Sequence, residues 1–221
     1  RLAIVDLEYG NQPLFNNNES ICIVGNGFIY NYESIMSDLK DMGIIFSTKN
    51  DFQVIPYLYE LYGIDCVKYL DGMFAFCLYD SINKKYMVCR DHIGKKPLYY
   101  LKNSNEFFFA SESKAFLEVS KNVENIYELG PGSRLIINEN MEIHIDKYYT
   151  IPIMKQVVNK NHVRSLLENA VKKRLRADVE VGTFLSGGID SSIVTAIASK
   201  RSEEHTSELQ SRQYLVCRLL L

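Results

Sequence analysis

The chain has 221 residues, 25 Lys+Arg against 27 Asp+Glu, four His, five Cys and no Trp, and 47% of it is hydrophobic. That is an ordinary globular make-up. A net charge of −2 with no block of like charge excludes a basic patch for nucleic acid or an anionic membrane. No stretch reaches the roughly 18 apolar residues a membrane-spanning helix needs. Cys22, Cys66, Cys77, Cys89 and Cys217 are odd in number and three lie in apolar runs, which predicts reduced core thiols and a cytoplasmic setting rather than a disulfide framework.

The chain opens on Arg1, and Leu2-Ala3-Ile4-Val5-Asp6 reads as a buried strand, so the expectation is that the sequence starts inside a fold. Ile21-Cys22-Ile23-Val24 predicts a short strand, followed by a Gly25-Asn26-Gly27 turn whose glycines allow positive φ and close backbone approach. A helix is expected over about 31–42, with Ile35, Leu39 and Met42 on one face and Gly43 as its stop. Another should start at the cap Asp51, turn Val54, Ile55, Leu58 and Leu61 inward, and end at Gly63.

Five strands are then predicted, at 73–79, 86–89, 98–101, 107–110 and 134–137, separated by turn residues such as Asp80, Asn83, Gly94 and Pro131-Gly132. This reads as antiparallel sheet with helices on its faces. Around 149–161 the strand pattern gives way to Pro152 and a polar stretch, a linker that sets a boundary at about 150. Beyond it, Val163, Leu166, Leu167, Ala170, Val171 and Leu175 recur at helical spacing, with Arg164, Lys172, Lys173 and Arg176 on the opposite, solvated face. A strand over 179–185, a glycine turn and a helix opening near Asp190 follow, the order that begins a parallel α/β nucleotide domain. Residues 201–221 break the periodicity, and their wording resembles a translated sequencing adapter; they are set aside as a non-native tail.

FLSGGIDSS, residues 184–192, is the sharpest chemical signal. Two glycines allow a tight backbone turn, the hydroxyls of Ser186, Ser191 and Ser192 can converge with several N–H groups, and a helix N-terminus adds partial positive charge. Phosphate oxygens suit such a cradle. The plainer alternative is a strand-to-helix turn capped by Asp190 or Ser191. No GxxxxGK(S/T) is present, which argues against a kinase-type phosphate loop. His92 is a lone histidine without metal spacing and reads as structural. Tyr99, Tyr100, Phe107, Phe108 and Phe109 read as sheet core rather than a stacking platform.

SGGIDSS resembles the pyrophosphate loop SGGxDS of ATP pyrophosphatases, which cleave ATP between its α- and β-phosphates. Together with RLAIVD, NGFIYNY, LDGMFAFCLYD, CRDHIGKKPLYY and FASESKAFL, in that order, the chain resembles glutamine-hydrolysing asparagine synthetase over residues 1–200. The resemblance implies an α+β fold: an incomplete N-terminal-nucleophile glutaminase αββα sandwich over 1–150, then the first βα unit of an ATP-pyrophosphatase domain over 151–200. It implies that the full-length enzyme hydrolyses glutamine, adenylates aspartate with ATP and Mg²⁺, and displaces AMP with ammonia, a carboxylate being a poor electrophile until AMP gives it a leaving group. The expected partners are therefore small molecules (glutamine, aspartate, ATP), with no nucleic acid or membrane and a homodimer as the assembly.

Carried over by the same resemblance, Arg1 would hold the glutamine α-carboxylate, Asn26 and Gly27 would form the oxyanion hole, and Asp51 would bind the amine while also capping its helix. Leu185, Ser186, Gly187, Gly188, Asp190, Ser191 and Ser192 would surround the ATP phosphates, with Asp190 a candidate Mg²⁺ ligand or a helix cap. Two departures stand out. The family reads NGE where this chain has Asn26-Gly27-Phe28, so a carboxylate for the ammonium group is missing. The nucleophilic cysteine is expected upstream of residue 1: Cys22, Cys77 and Cys89 fall on strands, Cys66 follows a helix and Cys217 lies in the tail. This chain by itself is therefore expected to lack glutaminase activity. Two alternatives share the motifs: amidation of a sugar acid or closure of a β-lactam, with specificity elements beyond Lys200, and a degenerate, non-catalytic glutaminase scaffold suggested by Phe28.

Overall fold

A nine-residue strand, β2 (Ile21–Ile29), organises the first part of the molecule. It is flanked by β1 (Leu14–Phe15) and followed by β3 (Gly72–Asp80), β4 (Lys85–Arg90), β5 (Tyr99–Lys102), β6 (Phe107–Ala110), β7 (Ile126–Glu128), β8 (Ser133–Ile137) and β9 (Ile143–Lys147). The structure, a computed structural model, describes residues 11–103, 106–119, 125–153, 159–175 and 181–204, the last four by backbone alone. The chain divides into two units, Arg1–Pro152 and Ile153–Leu221.

In the first unit β1-β2-β3-β4-β8-β9 form one sheet and β6-β5-β7 a second, every pairing antiparallel. One face of the larger sheet carries Ile21, Ile23, Ile29, Phe74, Phe76 and Leu78 against helices α1 (Tyr32–Asp41) and α2 (Val54–Tyr62). Its other face carries Ala75, Cys77, Val88, Leu135 and Ile137, which pack with Leu98, Leu129, Tyr100 and Phe107 from the region of the smaller sheet. Helices, sheet and second sheet thus stack as layers around two buried cores, the layering expected of the glutaminase sandwich. All five predicted strands form. β1, β7 and β9 go beyond the prediction: the first two are only two and three residues long.

Several local expectations are corrected. Gly25-Asn26-Gly27 is not a turn; β2 runs through it, pairing these residues with Phe76, Ala75 and Phe74. Its glycines answer crowding, since a Cβ on Gly27 (φ +155°) would lie 2.1 Å from the Met73 carbonyl oxygen, and one on Gly25 2.6 Å from Phe76 Cβ. The α2 region is capped by Asn50, whose side chain accepts from Phe52 N–H, and not by Asp51, which sits in a preceding 3-10 turn. Met42 and Leu61 are exposed; Met36 takes the inward place on α1, because the buried stripe there is Ile35, Met36 and Leu39. Cys66 lies within the 3-10 segment Gly63–Tyr69. Tyr99, Tyr100, Phe107 and Phe108 are half-buried and Phe109 is exposed, the enclosed residue of these strands being Leu101.

In the second unit α3 (Lys160–Arg174) buries only Val171 among its described residues, and Arg164, Lys172 and Lys173 are exposed as expected. Of the predicted strand 179–185, residues 179 and 180 lie outside the described residues and only Phe184 forms an isolated bridge. A parallel strand takes its ladder from neighbouring strands of the same sheet, and none lies among the described residues of this unit. Helix α4 (Ile189–Glu204) begins one residue before Asp190. Arg176, Cys217 and the predicted strand 2–6 lie outside the described residues.

Candidate functional site

Two of the candidate glutamine residues, Gly27 and Asp51, lie along one edge of β2. In an antiparallel pair, alternate residues direct their N–H groups to opposite sides. Tyr30 N–H donates to Asp71 O on the β3 side, so the odd-numbered residues of β2 point outward, toward β1. Along that outer edge Ile21 N–H donates to Asn16 Oδ1 (3.0 Å), Ile23 pairs with Leu14, Gly25 N–H donates to Gln12 Oε1 (2.7 Å) and Ile29 N–H donates to Asp51 Oδ2 (2.7 Å). Gly27 N–H lies between two satisfied donors and has no acceptor of its own among the described residues.

Asn26 and Phe28 stand on the face of β2 that also carries Val24, opposite Ala75 and Met73. The buried Asn26 Oδ1 has no hydrogen-bond partner among the described residues. An unsatisfied buried amide oxygen costs about 1–3 kcal/mol, and such groups concentrate where a ligand completes them. Phe28 is buried, packing edge-on to Tyr30 (centroids 5.7 Å) and against Tyr32 (6.0 Å), so its ring fills apolar space rather than standing in for a carboxylate. Asp51 is buried as well, and its carboxylate is committed to Ile29 N–H at the same edge. Gly27 and Asp51 therefore share one edge of β2, with Asn26 next to Gly27 in the strand; Arg1 lies outside the described residues.

CRDHIGKKPLYY turns out to be a brace. Buried Arg90 donates to the carbonyls of Lys96, Leu129 and Gly94 and to Glu128 Oε1. Asp91, fully buried, accepts from the N–H groups of Phe74, Ile93, Lys95 and Lys96 at 2.9–3.2 Å. His92 packs edge-on to Phe74, Tyr148 and Tyr149, and burial lowers its pKa, a structural role as expected. The brace thereby fixes Phe74, the register partner of Gly27. Sequence reasoning missed Gln12 and the Arg90–Asp91 brace as parts of the scaffold; neither carries a local signal of its partner.

The glycine loop of the second unit is open. Gly187 takes φ +83° with nothing within 4 Å of a notional Cβ. Ser186 and Ser191 share a hydrogen bond of 3.0 Å, and the hydroxyls of Ser191 and Ser192 both donate to Gly188 O (3.0 and 2.8 Å). Ser186, Gly187, Gly188, Asp190 and Ser192 are exposed; Leu185 and Ser191 are half-buried. Asp190 and Ser191 fall in the first turn of α4 rather than at its cap, where a carboxylate still complements the helix dipole. Among the described residues no three His, Cys, Asp or Glu side chains cluster to hold a metal. No helix among them is long and apolar enough to cross a membrane.

Comparison with known proteins follows the same division. Residues 162–213 match the asparagine synthase family. Asparagine synthetase B of Escherichia coli is 37% identical over 205 residues, and an asparagine synthetase of Arabidopsis thaliana 38% over 216 residues. These alignments cover 90% and 95% of this chain but 36% of each relative, so the chain spans about a third of their length. Among solved structures, an allosteric regulatory enzyme of purine biosynthesis matches with TM-score 0.57 at 23% identity, covering 90% of this chain and 48% of that one. The glutamine phosphoribosylpyrophosphate amidotransferase of B. subtilis matches with TM-score 0.53 at 23% identity, over 86% of this chain and 47% of that one. Their likeness shows the sandwich fold that carries the β2 edge. With residues 1–150 matching the glutamine amidotransferase domain family, the chain belongs to that family.

Proposed function

We propose that the full-length protein is a glutamine-hydrolysing asparagine synthase, converting aspartate, glutamine, ATP and water to asparagine, glutamate, AMP and diphosphate in the cytoplasm. The observation that carries this reading is Gly27 N–H, held between two satisfied donors beside an Asn26 amide with an unpartnered buried oxygen. A tetrahedral oxyanion formed from a glutamine amide needs fixed donors, here the Gly27 N–H and the amide NH2 of Asn26 and not its oxygen, each contributing roughly 3 kcal/mol in the transition state. Asn26 and Gly27 orient and stabilise that oxygen, Asp51 lies within reach of the substrate ammonium, and Arg1 takes its carboxylate. Small-molecule substrates follow, and the relatives' names point to aspartate as the acceptor.

At the second site the residues 185–188 and 190–192 gather around the ATP phosphates at the N-terminus of α4. Asp190, an exposed carboxylate beside that loop, fits Mg²⁺, which is commonly held by one or two carboxylates plus phosphate oxygens. The ion would supply charge neutralisation for the diphosphate leaving group. Incubating the full-length protein with glutamine, aspartate, ATP and magnesium tests the reading: AMP, diphosphate and asparagine are expected, and ADP would contradict it.

A second reading is supported by Phe28, buried on the same face as Asn26: the glutaminase unit is a scaffold and ammonia is the nitrogen donor. Phe28→Glu in the full-length protein separates the two. Unchanged glutamine-dependent AMP formation dismisses the scaffold, whereas glutamine use that emerges only in the variant supports it.

A further inference from the structure

The ladder of the two-residue strand β1 stops at the Leu14–Ile23 pair, and two register positions further on Gln12 would stand opposite Gly25. There the backbone ladder is replaced by a side chain: Gln12 Oε1 accepts Gly25 N–H at 2.7 Å. Pro13, between them, has no N–H to offer a ladder. On the far side of Gly27, Asp51 does the same for Ile29. An acceptor at the end of a side chain satisfies the strand while standing its own backbone off by the length of that side chain. A backbone acceptor would instead bring a neighbouring strand against β2.

We infer that Gln12 is a positioning residue that spaces the β2 edge beside Gly27, whose N–H has no acceptor among the described residues, so that this N–H is set to face a substrate carbonyl oxygen. Gly25 itself has no freedom to move aside, because Phe76 Cβ and Phe52 Cε1 lie 2.6 and 2.7 Å from where its Cβ would be. The position of Gly27 N–H therefore depends on how its edge is spaced, with Gln12 setting the spacing on one side and Asp51 on the other. This inference rests on the glutaminase reading, since it assigns a role within that same site.

The test uses the full-length protein with Gln12→Leu, which keeps the volume and removes the acceptor, and Gln12→Glu, which keeps an acceptor of the same reach. Gln12→Leu is expected to lower kcat for glutamate release about tenfold with KM for glutamine nearly unchanged, the signature of a displaced donor rather than lost binding. Gln12→Glu is expected to restore most of that loss, and ammonia-dependent AMP formation, read at the other unit, should stay at the wild-type rate in both variants. Wild-type glutamate release by Gln12→Leu overturns the inference, as does failure of Gln12→Glu to rescue or an equal fall in ammonia-dependent activity. If the wild-type protein itself releases no glutamate from glutamine, the glutaminase reading fails instead, whatever Gln12 does.

Discussion

The β2 edge and the glycine loop, the two proposed anion sites, both expose glycine backbone, yet they do so in opposite settings. At Gly27 and Gly25 glycine is demanded by neighbours, for any Cβ would meet backbone or ring atoms within 3 Å. At Gly187 nothing lies within 4 Å and only the backbone angle calls for glycine. The donors differ likewise: those beside Gly27 are fixed by Gln12 and Asp51, whereas the serine hydroxyls of the loop bond to one another and to Gly188 O. A site for a short-lived oxyanion benefits from donors fixed in advance, while a loop that wraps the phosphates of a large nucleotide can exchange its internal bonds for ligand bonds.

The comparison is broken most severely at Gly27. Gly27→Ala forces a methyl against the Met73 carbonyl, and a loss of at least about 4 kcal/mol is expected, seen as a much lower urea midpoint or no cooperative transition for the first unit. A normal midpoint would show that β2 yields more easily than its packing indicates.

Alkali sharpens the contrast next, because Cys22, Cys66, Cys77 and Cys89 all belong to the first unit. Burial pushes the Cys66 and Cys77 thiols from 9.0 up to about 12. Between those values the unfolded chain ionises and the folded one does not, so stability present below pH 9 is lost as pH rises, by about 1.4 kcal/mol per thiol per pH unit. Chemical denaturation from pH 8 to 10.5 should show this slope, and Cys66→Ala with Cys77→Ala should flatten it; an unchanged slope would remove the thiols as its cause.

Smallest is Gly187→Ala, where the cost is the backbone angle alone, about 1 kcal/mol. Stability of the first unit should not change and KM for ATP should rise several-fold. A collapse of stability comparable with Gly27→Ala would erase the distinction between crowded and open glycines.

Much of the first unit was legible in the sequence because alternation and turn residues report burial directly: the strand at 21–24 and the five predicted between 73 and 137 formed, while the one predicted at 2–6 lies outside the described residues. The errors arose where one residue type serves two geometries. Gly-Asn-Gly reads as a turn from local preferences, and only the cross-strand partners Phe74 and Phe76 reveal a strand too crowded for side chains. Asp51 and Asn50 are equally good caps in isolation; the choice was made by Ile29 N–H, 22 residues away. Gln12 was invisible for the same reason, its partner being Gly25 across a loop. In the second unit the helices were legible, but the predicted strand was not realised among the described residues, since a parallel strand is defined by neighbours and not by its own sequence.

The most direct test of the glutamine site is Asn26→Ala in the full-length protein, with glutamine-dependent and ammonia-dependent AMP formation measured side by side. Removing one preorganised donor should lower the glutamine-dependent rate by about 10²–10³-fold and leave the ammonia-dependent rate unchanged. A glutamine-dependent rate equal to that of the wild type, or an equal fall in both, would contradict the placement of the amide-hydrolysing site at this edge of β2.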